Sequence, residues 1–420
     1  MAQDQSVLFS PLTIGNLQVN GRVFKTATSE TRATEDGFVS DELLEFYEPM
    51  VQAGTPLIVT GNLYVTQEGK STFRMCGADA DDKIPGLARW ASLAHSGGSA
   101  LFGQINHCGR QVFAKGMGLD QAVSASDVME KVMGTKPRPL KEHEVREAVA
   151  AYAKSAEICQ KAGFDGIQIH AGHGYLISQF LTPYTNRRTD KYGGSFFKRM
   201  RFLLEVYFAI RKRCGEDYPL ILKINGTDYL PARKGLSSHE LVEVARILQE
   251  EGLNGVEVTV GHYESGFPMM RGTFSAFFKA MSHEGLGDQL PWVRRAGLKL
   301  FWPPIAFTFD QLWPPQEGFN LRYAANFKKK LKIPVICVGG FQTRARMEAP
   351  IQSGVCDAVS CARAMIADPY LFLHLRQNVT GPQCNWCNGC IGRAGRLPVD
   401  CYDPVIGKQR KAMIQAQGQG

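Results

Sequence analysis

Three side chains near the middle of the chain could do chemistry together. The stretch Gly163–Tyr175 reads GFDGIQIHAGHGY, so an apolar run ends in His170, and His173 and Tyr175 follow within five residues. Two imidazoles can donate hydrogen bonds to a developing oxyanion, and a phenol of pKa ~10 can protonate a strongly basic carbon. A lone histidine at a strand end is more often structural; a pair with a tyrosine and flanking glycines shifts that balance. A second cluster lies near the end, as Cys384-x2-Cys387-x2-Cys390-x10-Cys401. Thiolates two residues apart can point into one volume, and four of them suit either tetrahedral zinc or a cubane cluster. The other seven cysteines (Cys76, Cys108, Cys159, Cys214, Cys337, Cys356, Cys361) are scattered, several within apolar stretches, and read as buried free thiols.

The elements that must position these groups show a regular alternation. Short β-branched runs at Val23–Thr28, Leu57–Gly61, Ala100–Ile105, Gly166–His170, Leu220–Ile224, Val256–Val260, Val335–Val338 and Ala358–Ser360 predict strands. Helical periodicity follows most of them, at Asp41–Gln52, Glu142–Lys161, Phe196–Arg213, Ser238–Glu250, Leu321–Lys330 and Arg344–Gln352. Eight such cycles predict an α/β fold, a (β/α)8 TIM barrel over residues 1–377, with its active site at the carboxyl ends of the strands. A doubly wound sheet is the competing architecture, but no G-x-G-x-x-G follows the first strand. Two segments break the repeat. Residues 261–319, after the sixth strand, form a long insertion with six prolines and Trp292, Trp302 and Trp313, which reads as a lid or an interface. Residues 378–420 form a cysteine-rich tail whose last dozen residues are expected to be disordered.

Composition bounds the class. The 420 residues are 44% hydrophobic, 21% charged and 10% aromatic, which excludes disordered and fibrous chains. No apolar run reaches the ~18 residues of a membrane helix, and the start MAQDQSVLFSPL lacks a secretory profile, so a cytoplasmic location without membrane association is expected. The net charge of +8 is spread along the chain, which argues against nucleic acid and for an anionic cofactor.

The motifs carry a resemblance. The segments IHAGHGYL, QFLTP and NRRTDKYGGS, all between Ile169 and Ser195, together with Gln104–Arg110 (QINHCGR), Val335–Gly340 and Ser360–Arg363, resemble the old yellow enzyme family of FMN-dependent oxidoreductases over roughly residues 7–377. After YGGS the chain has Phe196-Phe197-Lys198-Arg199 where the family reads x-E-N-R. The resemblance implies FMN across the barrel mouth. Gln104 would pair with the flavin pyrimidine, Lys223 would lie beside N1 and O2, and Gly339, Gly340, Ala362 and Arg363 would hold the phosphate. Ala27, Thr28 and Ser29 would lie against the flavin face, with Thr28 or Ser29 tuning its potential, and Gly61 would let the backbone approach closely. His170 and His173 would bind the substrate oxygen and Tyr175 would donate the proton.

The implied activity is NAD(P)H-driven reduction of an activated C=C bond in an unsaturated carbonyl, acid or thioester, by a small-molecule-binding and homo-oligomeric enzyme. The tail resembles that of the dienoyl-CoA reductases and trimethylamine dehydrogenase, which implies a [4Fe–4S] cluster on Cys384, Cys387, Cys390 and Cys401. The last two gaps are each one residue shorter than the usual C-x2-C-x3-C-x11-C, and zinc or no metal stay open. Two other functions stay open too: an amine dehydrogenase or demethylase with an aromatic cage from Phe267, Trp292, Trp302 and Trp313, or a flavin subunit that passes electrons to a protein partner. Neither the substrate nor the choice of NADH or NADPH is legible.

Overall fold

Each of the eight alternating runs becomes one parallel strand of a closed barrel in the computed structural model, which describes residues 6–230, 235–290 and 292–417. The strands are β1 (Val23–Lys25), β2 (Leu57–Tyr64), β3 (Ala100–Asn106), β4 (Gly166–His170), β5 (Leu220–Asn225), β6 (Gly255–Thr259), β7 (Val335–Val338) and β8 (Ala358–Cys361). They pair in chain order, and β8 closes on β1 through Ser360 opposite Phe24. The outer helices are α1 (Asp41–Gln52), α2 (Ile84–Ser96), α3 (Glu142–Lys161), α4 (Phe196–Cys214), α5 (Ser238–Glu250), α6 (Leu321–Lys328), α7 (Arg344–Gln352) and α8 (Leu371–Gln377).

Strand alternation decides what faces the barrel axis. Ile167 and Ile169 of β4, Leu222 and Ile224 of β5, and Val256 and Val258 of β6 join the core shared with the helices. Phe24, Leu57, Val59, Ala100, Phe102, Ile221, Ile336 and Ala358 fill the lower barrel. An antiparallel hairpin, Leu12–Ile14 with Leu17–Val19, plugs that lower end with Leu12, Ile14 and Val19. One step further along the strands the inward positions turn polar: Thr26, Gln104, Gln168, Lys223, Glu257 and Ser360, all buried. The apolar plug below and the polar layer above give the barrel a dry base and a functional mouth.

The insertion folds rather than trailing as loop. Helices Ser275–His283 and Trp292–Leu312 pack Met270, Phe274, Phe277, Phe278 and Ala306 into a cluster of their own, joined by Phe267, Trp302 and Trp313. The tail is stitched across the mouth. Its short helix Gly389–Arg393 lies on Ser275–His283, the Gly395 N–H donates to Thr31 Oγ1 at 3.0 Å, and the Val399 N–H donates to the Glu30 carbonyl at 2.8 Å.

The end of the chain corrects the expectation of disorder, because residues 404–417 form a helix. Asp403 Oδ1 accepts from the Val405 and Ile406 N–H groups at 3.0 and 2.9 Å, Pro404 occupies the first turn, and Ile406 and Arg410 are buried. Residues 418–420 lie outside the described residues. Among the described residues no helix is long and apolar enough to cross a membrane.

Candidate active site

At the end of β4 the alternation turns Gln168 and His170 inward. Lys223 stands opposite His170 on β5, and Glu257 stands opposite Lys223 on β6. The chain then bends through His173, whose φ of 58° is rare for a residue with a side chain, and Gly174 at 83°. A Cβ on Gly174 would sit 2.3 Å from His262 Nε2, so glycine is required there. Asn225 Oδ1 accepts from the His173 N–H at 3.2 Å, and Gln111 Nε2 donates to the His173 carbonyl at 2.8 Å, which fixes the bend. The predicted trio is thereby brought together: the His170 ring lies 5.1 Å from that of His173 and 4.9 Å from that of Tyr175, each edge-on.

Burial holds both imidazoles neutral. It pushes His170 well below the usual histidine range, helped by His173 and the Lys223 charge, and it takes His173 down to about 3. His170 Nδ1 accepts from the Gly172 N–H at 3.2 Å, so a neutral ring carries its proton on Nε2, free to donate. His173 commits Nε2 to Thr259 Oγ1 at 2.8 Å and leaves Nδ1 for a ligand. Burial also raises the Tyr175 phenol well above its ordinary value, and its hydroxyl lies 3.1 Å from that of Tyr263. Both imidazoles are depressed, so they stay uncharged above pH 5, as does the phenol. The rate of substrate reduction should therefore show no inflection near pH 6.5; a titration there, followed between pH 5 and 8, would contradict neutral donors.

Below the trio the polar layer forms one network. Glu257 takes Lys223 Nζ at 2.9 Å and Gln168 Nε2 at 3.0 Å on Oε2, and the Ser360 hydroxyl at 2.5 Å on Oε1. Burial alone would raise the Glu257 carboxyl. The Lys223 charge and the hydrogen bonds from Ser360 and Thr26 outweigh it and hold the carboxyl below its usual range. Gln104 Nε2 donates to Gln168 Oε1 at 2.5 Å, while Gln104 Oε1 is buried without a partner. Lys223 spends a second hydrogen on Thr26 Oγ1 at 2.9 Å and keeps a third. An orphaned amide oxygen beside a spare ammonium N–H matches the donor and acceptor edge of a flavin pyrimidine.

Four of the predicted sites have surroundings that the sequence did not show. Lys223, which the resemblance puts beside flavin N1 and O2, is ion-paired with Glu257 of the next strand. The hydroxyl that β1 turns into the mouth belongs to Thr26. Thr28 Oγ1 accepts from Lys25 Nζ at 2.8 Å on the outer side, while Ala27 packs against the barrel interior and Ser29 is half-buried. The close approach at Gly61 is to Glu30, whose Oε1 accepts its N–H at 2.6 Å and whose Oε2 lies 1.9 Å from where a Cβ would stand. Burial, helped by the neighbouring thiols of the tail, raises Cys384, Cys390 and Cys401, and takes Cys390 to about 12. Yet among the described residues no three His, Cys, Asp or Glu side chains converge as a metal site. No step is derived through a metal on Cys384, Cys387, Cys390 and Cys401.

At the ends of β7 and β8, Gly340 (φ 73°), Ala362 and Arg363 line a cavity of about 60 Å³ beside Gly339, with Trp386 of the tail. Arg363 Nη1 donates to the Arg271 carbonyl at 2.6 Å and to Asn388 Oδ1, and its guanidinium lies over the Trp386 ring. The departure after YGGS is benign: Arg199 still clamps the loop, donating to the Leu181 and Gly194 carbonyls at 2.8 and 2.6 Å.

A model of the NADH:flavin oxidoreductase / NADH oxidase family matches residues 7–285. The chain belongs to that family. Among its relatives, a metal reductase of Desulforamulus reducens is 33% identical over 403 residues, 94% of this chain and 53% of the relative. A cinnamate reductase of Clostridium sporogenes is 28% identical over 429 residues, 98% of this chain and 59% of the relative. The structure of a 2-naphthoyl-CoA reductase in complex with 2-naphthoyl-CoA superposes with a TM-score of 0.79 at 25% identity, covering 96% of this chain and 58% of that one. The chain thus spans a little over half the length of these relatives. FMN and a nicotinamide nucleotide go with the family, and the orphaned Gln104 oxygen, the spare Lys223 hydrogen and the Gly340 cradle fit the flavin.

Several residues of this NADH:flavin oxidoreductase site were not singled out in the sequence. Glu257, the one acidic residue in GVEVTV, was visible as a charge facing the barrel at the level of Lys223. Gln168 was visible by its inward parity with His170. Thr259, Asn225 and Tyr263 act from other strands and loops, and nothing local marks them.

Proposed function

We propose that this chain carries out NAD(P)H-driven reduction of an activated C=C bond. The observation that carries the reading is the neutral His170 ring held edge-on between the neutral His173 ring at 5.1 Å and the buried, protonated Tyr175 phenol at 4.9 Å. Bound FMN would take hydride from the nicotinamide and pass it to the substrate β-carbon. The chain's own residues supply the rest. His170 Nε2–H and the free nitrogen of His173 hold the carbonyl oxygen and stabilise the enolate as charge develops, because both face the mouth from a dry, preorganised layer. Tyr175 gives its proton to the α-carbon. Tyr263, 3.1 Å away, aligns that hydroxyl. The similarity to the cinnamate and 2-naphthoyl-CoA reductases supports a conjugated acyl substrate.

The amine reading has less support: of the four aromatics of its cage, Trp292 is 80% exposed and Trp302 packs within the insertion, while Phe267 lies 5.9 Å from Tyr263. The test is turnover of a panel: cyclohexenone, cinnamate, an enoyl-CoA and dimethylglycine, each followed by flavin absorbance. Reoxidation by the first three supports the reading, and reduction by the amine alone overturns it. Tyr263→Phe, which keeps the ring and removes the hydrogen bond worth ~1 kcal/mol, should slow α-protonation about fivefold and enlarge the solvent isotope effect. An unchanged isotope effect would remove Tyr263 from proton delivery.

A further inference from the structure

Buried and half-buried arginines in this chain usually carry a carboxylate partner: Arg110 with Glu264, Arg188 with Asp190, Arg199 with Glu240. Half-buried Arg271 and exposed Arg322, both at the mouth, do not, and neither does Arg363. Arg271, in the segment after β6, donates to Gln316 Oε1 at 3.0 Å and lies over the Trp313 and Phe319 rings. Arg322, exposed at the start of α6, donates to the Tyr229 hydroxyl and to that of Tyr323 at 2.5 Å, and covers both rings. Among the described residues neither guanidinium is ion-paired with a carboxylate, and the charge of Arg322, after burial, helps hold the Arg271 pKa below its usual value. Arg271 Nε is buried without a partner. Tyr229, between the two, is held at a φ of 53°, a costly conformation for tyrosine. Two cations within electrostatic reach of each other and without an acid, aromatic faces around them and a donor unspent, describe a site that awaits an anion.

Its position links it to the reacting centre. From Tyr175 an aromatic wall runs through Tyr263 at 6.0 Å, Phe267 at 5.9 Å and Phe309 at 6.4 Å, each distance measured from the ring before. Phe309 and Trp313 both lie 3.8 Å from where a Cβ of Gly266 would stand, and Trp313 meets Tyr229 at 5.5 Å. The Arg271 carbonyl also accepts from Arg363, which places the pair beside the flavin cradle.

We infer that Arg271 and Arg322, with Tyr229 and Tyr323, bind the phosphate groups of a nucleotide-bearing ligand whose other end reaches the His170–Tyr175 centre along this wall. The inference rests on the proposed reading of the mouth as the reducing site. Planar guanidinium forks match phosphate oxygens, and aromatic stacking holds them flat for bidentate contact. Two sources share this chemistry: the coenzyme A part of an acyl thioester substrate and the pyrophosphate of the nicotinamide reductant.

Calorimetric titration of the anaerobically reduced holoenzyme with coenzyme A and with NADH separates them. For one of the two, Arg322→Gln and Arg271→Gln should each weaken binding roughly tenfold and flatten its salt dependence, with Arg322→Lys in between. Loss for coenzyme A identifies a thioester substrate, and loss for NADH identifies the reductant. Affinities within twofold of wild type for both probes, with unchanged thermal midpoints, overturn the inference, as does failure of the wild type to bind either. Reoxidation of the wild-type flavin by cyclohexenone, which bears no phosphate, tests the reducing-site reading separately.

Discussion

Replacing His170 or His173 by alanine should lower the rate of flavin reoxidation by an enone by about 10²–10³-fold each, while reduction of the flavin by NADH stays within a few-fold of wild type. The asymmetry follows from where the imidazoles act. They are neutral, and on the proposed function they donate to an oxygen that gains charge only in the oxidative half-reaction, whereas the nicotinamide ring would place no such oxyanion between them. His170 is further constrained because its Nδ1 is already an acceptor, so only Nε2 can serve. His170→Asn would keep one donor and should recover part of the loss. Stopped-flow measurement of the two half-reactions gives the ratio directly, and equal losses in both would remove the oxyanion role.

Glu257→Gln should destabilise the holoenzyme by about 3–5 kcal/mol. The carboxylate accepts from Lys223, Gln168 and Ser360 at full burial, and the substitution leaves an ammonium in the barrel without a counter-charge. Lys223→Met should cost a similar amount by stranding Glu257. The double variant should recover most of it, since a buried pair replaced as a whole is often neutral. Chemical-denaturation midpoints of the four proteins form the cycle. A single-variant cost below ~1 kcal/mol, or no recovery in the double variant, would show that the pair does not organise the layer.

Much of this was legible because strand alternation has a short period. Once Ile167 and Ile169 are read as outward, Gln168 and His170 must face the axis, and the same parity places Gln104 and Lys223. The bounds of β4, β7, α1, α3, α5 and α7 follow from apolar spacing and match the structure. What was missed depends on through-space partners. Glu257 neutralises Lys223 from the adjacent strand, and Lys25 turns Thr28 outward and leaves Thr26 to face the mouth. The Leu12–Val19 hairpin plugs the barrel with only three inward side chains, too short a signal to stand out. The polar tail folds as a helix because Asp403 caps it and Ile406 and Arg410 are buried, neither visible as periodicity. Cysteine spacing could say that four thiols lie close, but not whether their sulfurs converge.

On the proposed function, the His170–His173–Tyr175 centre directs hydride to the β-carbon and a solvent-derived proton to the α-carbon of a polarised double bond. The most direct test is anaerobic turnover of cyclohexenone with NADH deuterated at nicotinamide C4, followed by NMR of the saturated ketone. Deuterium is expected at the β-carbon alone and solvent hydrogen at the α-carbon, with α-incorporation slowed in Tyr175→Phe. No saturated product, or a product without deuterium at the β-carbon, would contradict it.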